Sequence, residues 1–342
     1  MKEIKWKEII RWFWKQRLYL LLVILIFLMR LSLGLAHSGK TETEEFSKFY
    51  QRFNETIKEE LLKEPQKLVW VGVVTLLMLA GLVIGSILFF TWGIGFMRKP
   101  VADSPVVPWS LWDVFRVVIL SFFWGQALFI IGLLVVRLWG IRQLNEHVLM
   151  LWGTLWMDVL IFFFIMYVTV HQAKGSLNYL GLTFHRCFTN IATGILGYLS
   201  SLPILCLTLL SVLITAQLLK YEPPPQPIQE IFLTEKGGNT LFTAVILVSL
   251  VGPFFEELFF RGLLYNSLKR RLKPMTSLWI TSIIFSAVHA NLFGFFPILV
   301  LSALLTILYE KTGSLISSVT VHVLHNSLMI GFFFFVKELG GK

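Results

Sequence analysis

The sequence predicts an all-α fold, a polytopic membrane helix bundle with about eight or nine transmembrane helices. Three observations predict this fold class. Hydrophobic residues make up 56% of the chain and charged residues only 15%, whereas a soluble domain has about 25% charged residues. The apolar residues are gathered into runs of membrane-spanning length. The chain also contains 12 Trp residues, a residue type that is enriched at membrane interfaces.

Nine apolar segments meet or approach the length of about 20 residues that a helix needs to cross a hydrocarbon core about 30 Å thick. They are 18–36, 68–96, 114–136, 148–170, 191–219, 241–264, 276–290, 293–309 and 315–336. The first segment has features of a signal peptide, but its length and its long basic flank favour an uncleaved signal anchor. The eighth segment is short, so it is expected either to span the membrane or to be re-entrant.

The distribution of basic residues predicts the orientation of the spans. If the amino terminus is cytoplasmic and nine spans alternate, the formal net charge of +10 lies entirely on the cytoplasmic side. Lys269, Arg270, Arg271 and Lys273 form the densest of these basic loops. The positive-inside rule explains such an excess, so we expect a multi-pass membrane protein whose partner is the lipid bilayer, with no nucleic-acid partner.

The chain is expected to divide into amino-terminal membrane spans at 1–170 and a carboxy-terminal core at 171–342. A polar loop at 37–67 carries apolar residues at spacings of three and four, which predicts a short amphipathic helix. These residues are Phe46, Tyr50, Phe53, Ile57 and Leu61. Two cysteines, Cys187 and Cys206, are too few for a disulfide scaffold or a four-cysteine metal site. Residues 1–170 contain no motif to which a function can be assigned.

Ionisable side chains within the apolar segments are concentrated in the last hundred residues. Such groups are costly inside a membrane and mark functional sites by default. Among the first 240 residues, Arg30 and Arg116 lie near the ends of their segments and Asp158 lies deeper, and we expect a structural role for all three. The function is therefore predicted to lie in the carboxy-terminal spans.

Two adjacent carboxylates lie in the segment 241–264, within the pattern Glu-Glu-x-x-x-Arg. Glu257 and Arg261 are four residues apart, so they can form an ion pair along one helical face. Glu256 points about 100° away and has no local cation, as expected of a carboxylate that acts as a general base. Pro253 lacks an N–H group and clashes with the carbonyl of Ser249, which predicts a kink one turn before the pair.

Two further motifs bring histidines into neighbouring spans. His289 ends a Phe-x-x-x-His pattern, and His322 and Asn326 are four residues apart on one face of the last span. His325 points away from that face, and we expect it to be structural. Each motif is weak alone, but the three together within the last spans predict a functional site.

The order of these three motifs on membrane helices resembles the CAAX protease and bacteriocin-processing (CPBP, or Abi) family of intramembrane endopeptidases, and in particular the type II CAAX prenyl proteases. The resemblance covers roughly 241–335. It implies hydrolysis of a peptide bond in a membrane-associated peptide or protein, such as a prenylated CAAX-type or leader-peptide substrate. Glu256 and His289 would activate a water molecule, and His322 and Asn326 would stabilise the oxyanion. The pair of Glu257 and Arg261 would orient Glu256, in a site that opens toward the cytoplasmic half of the bilayer.

Two questions stay open at the level of the sequence. Glu256, His289 and His322 form a plausible zinc-ligand set, but the His-Glu-x-x-His zinc motif is absent, which favours activation of water without a metal. The alternative to an enzyme is a non-enzymatic scaffold, a bacteriocin-immunity protein or a transporter. Such a protein would use the buried Glu, His and Arg residues as a polar lock or a proton relay.

Overall fold

The computed structural model describes Tyr19 and residues 55–101, 106–140, 145–221 and 227–340. Within these residues every regular element is a helix, and seven helices are long and apolar enough to cross a membrane. A further apolar helix is shorter, and the first apolar segment of the sequence lies outside the described residues apart from Tyr19. The prediction of an all-α membrane bundle with about eight or nine spans is therefore confirmed, whereas the signal anchor stays a prediction.

Nine helices carry the described part of the fold. They are α1 (Pro65–Arg98), α2 (Leu111–Leu138), α3 (Glu146–Gln172), α4 (Cys187–Leu218), α5 (Pro227–Thr234), α6 (Gly238–Lys269), α7 (Pro274–Val288), α8 (Phe295–Thr312) and α9 (Leu315–Leu339). Residues 55–63 are also helical, with Ile57 and Leu61 half-buried, which agrees with the described part of the predicted amphipathic stripe. The remaining residues of that stripe lie outside the described residues.

Small residues allow the central helices to approach closely. Helix α4 packs against α1, α8 and α9. A side chain at Gly85 of α1 would come within 2.5 Å of the carbonyl oxygen of Leu199, and one at Gly194 within 2.7 Å of the carbonyl oxygen of Ser317. Without a hydrophobic driving force between helices in lipid, such close backbone contact is a main source of their association.

A tight turn fixes the start of α9, the helix that carries two of the predicted site residues. Helix α8 ends at Gly313, which has a φ of 66°, and Ser314 caps the start of α9 through its hydroxyl group. The backbone N–H of Leu315 donates a hydrogen bond of 2.9 Å to the carbonyl of Gly181, in the loop before α4. The ends of α4, α8 and α9 are therefore held together.

Polar contacts join several loops at one end of the bundle. Lys269 at the end of α6 forms an ion pair of 2.9 Å with Glu310 at the end of α8. Arg270 donates to the carbonyl of Trp109, just before α2, at 2.8 Å. These loops, with that of Gly181, are the ones that the charge distribution assigns to the cytoplasm, and we propose that this end of the bundle is cytoplasmic.

A second cluster joins the loops at the opposite end. The Glu235 carboxylate, between α5 and α6, accepts hydrogen bonds from the Nδ1 of His147 at 2.8 Å and from the side-chain amide of Asn145 at 2.9 Å. The backbone N–H of Gly237 donates to the same carboxylate at 2.7 Å, and Lys337 of α9 donates to the carbonyl of Glu235. The hydrogen bonds from His147, Gly237 and Asn145 lower the pKa of Glu235 to about 2.

We expect the Glu235 cluster to make the stability of the fold depend on pH. Because the pKa of Glu235 in the folded state lies below its ordinary value of 4.5, the ionised carboxylate stabilises the fold above about pH 4.5. This contribution should be lost as the pH falls toward 2. The melting temperature of Glu235→Gln should therefore lie below that of the wild type at pH 6 and approach it at pH 3. An equal difference in melting temperature at both pH values would contradict the stabilising role of the ionised Glu235 carboxylate.

The proposed orientation can be tested by labelling from one side of the membrane. In a background with serine at both native cysteine positions, Arg271→Cys should resist an impermeant thiol reagent applied to intact cells. Lys236→Cys, an equally exposed basic residue at the opposite end, is the matched control and should react. Labelling of the first variant and protection of the second would reverse the orientation.

Candidate active site

Helix α6 leaves regular α-helical geometry on both sides of the two predicted carboxylates. Residues Leu247–Val251 and Leu258–Tyr265 are π-helical, and Gly252–Glu257 between them is α-helical. The presence of Pro253 predicts a kink in α6, and the structure has a wider, π-helical turn directly before this residue. Such π-helical turns are rare, and they occur frequently at functional sites.

Glu257 and Arg261 form the ion pair that their spacing predicts. Both side chains are completely buried, and Nη1 of Arg261 lies 2.6 Å from Oε1 of Glu257. The Nη2 of Arg261 donates to the hydroxyl group of Ser302 at 2.8 Å and to its carbonyl at 3.1 Å, while the guanidinium lies 4.7 Å from the ring centre of Phe285. A buried charge without such partners would be strongly destabilising.

His322 lies between the two carboxylates and is almost completely buried. Its Nδ1 is 2.9 Å from Oε1 of Glu257, and its Nε2 is 3.7 Å from Oε2 of Glu256. A carboxylate can only accept, so Nδ1 carries a proton, and this state is inferred from the contact. Glu257 therefore links Arg261 to His322, and Nε2 of His322 faces Glu256.

Glu256 has one accessible and one enclosed carboxylate oxygen. Its side chain is 36% exposed, yet Oε2 is buried and has no hydrogen-bond partner among the described residues. Asp158 of α3 is close enough to Glu256 to interact with it electrostatically, and the ring of Phe162, one turn along α3, lies 5.6 Å from that of Phe255. The carboxylate thus lies at the boundary between the packed interior and an accessible surface.

Asn326, one turn after His322 on α9, contacts the backbone of α6. Its side-chain nitrogen Nδ2 donates a hydrogen bond of 2.8 Å to the carbonyl oxygen of Val248, in the first π-helical turn. His325, which the sequence predicts to be structural, instead faces α4, where its Nδ1 lies 3.1 Å from the hydroxyl oxygen of Tyr198.

His289 lies at the edge of this group of residues. It caps the end of α7, is exposed, and its Nδ1 lies 2.7 Å from the carbonyl oxygen of Phe285. The Phe285 ring centre is 4.8 Å from that of His289 and 5.8 Å from that of His322. Within the described residues, His289 has no hydrogen bond or ion pair with Glu256, and the aromatic ring of Phe285 lies beside both imidazoles.

The predicted zinc-ligand set is not assembled by this arrangement. Within the described parts of the chain, no three His, Cys, Asp or Glu residues lie close enough together to hold a metal ion. Glu256 and His322 lie 3.7 Å apart, whereas the hydrogen bond of His289 is with the carbonyl of Phe285.

Three residues of this region were not expected from the sequence. Ser302 and Phe285 contact Arg261 from other helices; the Phe-x-x-x-His motif includes Phe285, but no sequence pattern indicates that either residue contacts Arg261. Asp158 was expected to be structural, and its proximity to Glu256 depends on the packing of α3 against α6. Its position as an acid within an apolar segment was the only available signal.

Comparison with known proteins identifies the segment that holds these residues. A family model described as Type II CAAX prenyl endopeptidase Rce1-like matches residues 238–328. This segment is therefore similar to the type II CAAX prenyl endopeptidases of the CAAX protease (CPBP) family. The match begins at the first residue of α6, ends two residues after Asn326, and includes all six predicted site residues. No curated protein and no solved structure was found to match the chain.

The similarity of this segment supports a CAAX-type intramembrane endopeptidase in general. This agrees with the multi-pass membrane architecture. The matched segment is about a quarter of the chain, and it contains α6, α7, α8 and the first part of α9, which carry the ion pair, both carboxylates and the histidines.

Removal of the negative charge of Glu257 should destabilise the fold. Glu257→Gln leaves Arg261 as a buried cation without a counter-ion, and loss of one partner of a buried pair costs about 3–5 kcal/mol. Glu310→Gln, which removes a carboxylate from the partly exposed pair with Lys269, is the matched control and should cost about 1 kcal/mol or less. Thermal unfolding in detergent measures both, and equal losses would contradict the proposed importance of the buried pair.

Proposed function

We propose that the protein is an intramembrane endopeptidase that hydrolyses a peptide bond of a membrane-associated substrate, with Glu256 as the general base. The observation that carries this proposal is the partly exposed carboxylate of Glu256 beside His322, whose other nitrogen is held by Glu257. A general base needs an acceptor oxygen that a water molecule can reach. Neighbouring groups must not occupy that oxygen with their own hydrogen bonds.

In the proposed reaction, Glu256 accepts a proton from water while the water oxygen attacks the substrate carbonyl. The tetrahedral intermediate carries an oxyanion, which is stabilised by hydrogen-bond donors placed in advance. His322 supplies one donor at Nε2 in its doubly protonated form, while its Nδ1 is held by the carboxylate of Glu257. Asn326 supplies the second donor. Glu256 then transfers its proton to the leaving amine, so that water is divided between the two products.

We assign His289 a supporting role in the activation of water. The Phe285 carbonyl can only accept, so Nδ1 of His289 is the donor and Nε2 is left as the basic nitrogen. This nitrogen belongs to an exposed side chain at the end of α7. Because His289 has no hydrogen bond or ion pair with Glu256 among the described residues, we assign Glu256 as the primary base and His289 as a second proton acceptor on the accessible side.

The position of Glu256 along α6 supports a site that opens toward the cytoplasmic half of the bilayer. At a rise of 1.5 Å per residue, Glu256 lies about 20 Å from the Lys269 end of the helix and about 27 Å from the Gly238 end. The nearer end is the one that we propose to be cytoplasmic. Substrates that reach this depth are anchored in the membrane, as prenylated CAAX-type proteins and leader peptides are.

The decisive variant is Glu256→Gln, which keeps the size of the side chain but cannot accept a proton. The purified variant should lose cleavage of membrane-anchored peptides by a factor of about 10²–10⁴ or more, while its melting temperature stays near that of the wild type. Peptides with and without a prenylated cysteine should be compared. Glu235→Gln, which removes a carboxylate at the opposite end of the bundle, is the control and should retain activity at neutral pH.

Full activity of Glu256→Gln would refute the assigned base. A wild-type protein that cleaves none of these peptides, together with a strong loss of stability in Glu256→Gln, would instead favour the non-enzymatic reading of the buried residues as a polar lock. Cleavage assayed with and without a chelator tests the metal question independently of the geometry.

A further inference from the structure

The carbonyl group of Val248 has lost both of its possible donors within α6. In an α-helix its donor would be the N–H group of Gly252, but that group donates to the carbonyl of Leu247 in the π-helical turn. The next N–H along the chain would belong to residue 253, which is proline and has none. The combination of the wide turn and Pro253 therefore leaves one carbonyl oxygen of the helix free.

Asn326 of α9 donates to this carbonyl oxygen through Nδ2, at 2.8 Å. A carbonyl oxygen accepts hydrogen bonds and does not donate them, so the contact requires the nitrogen of the amide to face Val248. The other orientation would bring the amide oxygen of Asn326 against the carbonyl oxygen of Val248. The contact therefore fixes the orientation of the amide and leaves its second N–H available.

We propose that Pro253 is a positioning residue for Asn326: because it provides no N–H, the carbonyl of Val248 remains free to orient the Asn326 amide so that its second N–H can donate to the oxyanion. This inference rests on the proposed function, which makes Asn326 an oxyanion donor. Pro253 itself touches neither the substrate nor the reacting atoms in this account, and it acts through Val248.

The variant Pro253→Ala tests the inference because it supplies a backbone donor in either helical register. If the π-helical turn persists, the new N–H at position 253 can donate to the carbonyl of Val248. If the turn relaxes to an α-helix, the N–H of Gly252 donates to it instead. In both cases the backbone competes with Asn326 for the same acceptor, and the side-chain amide is released.

The first measurement is a double-mutant cycle on cleavage. Asn326→Ala should lower kcat by about 10²–10³, as expected for loss of one oxyanion donor. Pro253→Ala should lower kcat by about tenfold or more with little change in KM, and the double variant should be no slower than Asn326→Ala alone. Pro203→Ala is the matched control, because Pro203 also lies inside a membrane helix, α4, and this variant should keep wild-type kcat.

The second measurement is thermal unfolding, which does not depend on activity. Asn326→Ala leaves the carbonyl of Val248 without a donor, so its melting temperature should fall by about 2–4 °C or more. Pro253→Ala in the Asn326→Ala background supplies the donor and should restore part of this loss. Pro203→Ala in the same background should restore none of it.

The outcomes separate this inference from the proposed function. Wild-type kcat in Pro253→Ala, additive losses of kcat in the double variant, or no restoration of melting temperature would each overturn the inference. A wild-type protein without peptidase activity would refute the proposed function. The unfolding measurement would then still test whether Pro253 leaves the carbonyl of Val248 free for Asn326.

A further variant keeps the inference testable if Pro253→Ala does not accumulate. Asn326→Asp has the same shape as asparagine but carries no N–H group, so its carboxylate oxygens repel the carbonyl of Val248. It should be as inactive as Asn326→Ala and should melt at a lower temperature than Asn326→Ala. A wild-type melting temperature for Asn326→Asp would overturn the inference.

Discussion

The arrangement of the carboxy-terminal helices depends on one completely buried cation, the guanidinium of Arg261. A buried cation must be paired and hydrogen-bonded, or the fold loses several kcal/mol. Glu257 provides the counter-charge one turn away on the same helix, and Ser302 and Phe285 approach the guanidinium from α8 and α7. Helices α6, α7 and α8 therefore all contact this one charged group, which is shielded from solvent.

The same constraint explains why two adjacent glutamates have different environments. Glu257 is completely buried, and one of its oxygens accepts from both Arg261 and His322. Glu256 points away from that pair, and its side chain is 36% exposed. His322 joins the two carboxylates. In our account the structural carboxylate orients the histidine, and the histidine faces the carboxylate that reacts.

Sequence patterns predict the interactions within one helix, but they do not predict the interactions between helices. The pairing of Glu257 with Arg261 follows from a spacing of four residues, and Pro253 indicates a disturbed turn. The bond from His322 to Glu257 joins residues 65 positions apart, so no local pattern indicates it. The π-helical turn before Pro253 leaves the carbonyl of Val248 free, and Asn326 contacts that carbonyl from α9, 78 positions away. For His289, the early end of α7 after 15 residues leaves the imidazole beside Phe285, short of Glu256.

The central claim is that His322, oriented by Glu257, belongs to the reacting group of residues. His322 and His325 lie three residues apart on α9, but His325 contacts Tyr198 of α4. The most direct measurement is therefore kcat for His322→Gln and His325→Gln on one membrane-anchored peptide, with melting temperatures as a check on folding. Our account predicts a loss of about 10²-fold or more for His322→Gln and near wild-type turnover for His325→Gln. Equal turnover in the two variants would contradict it.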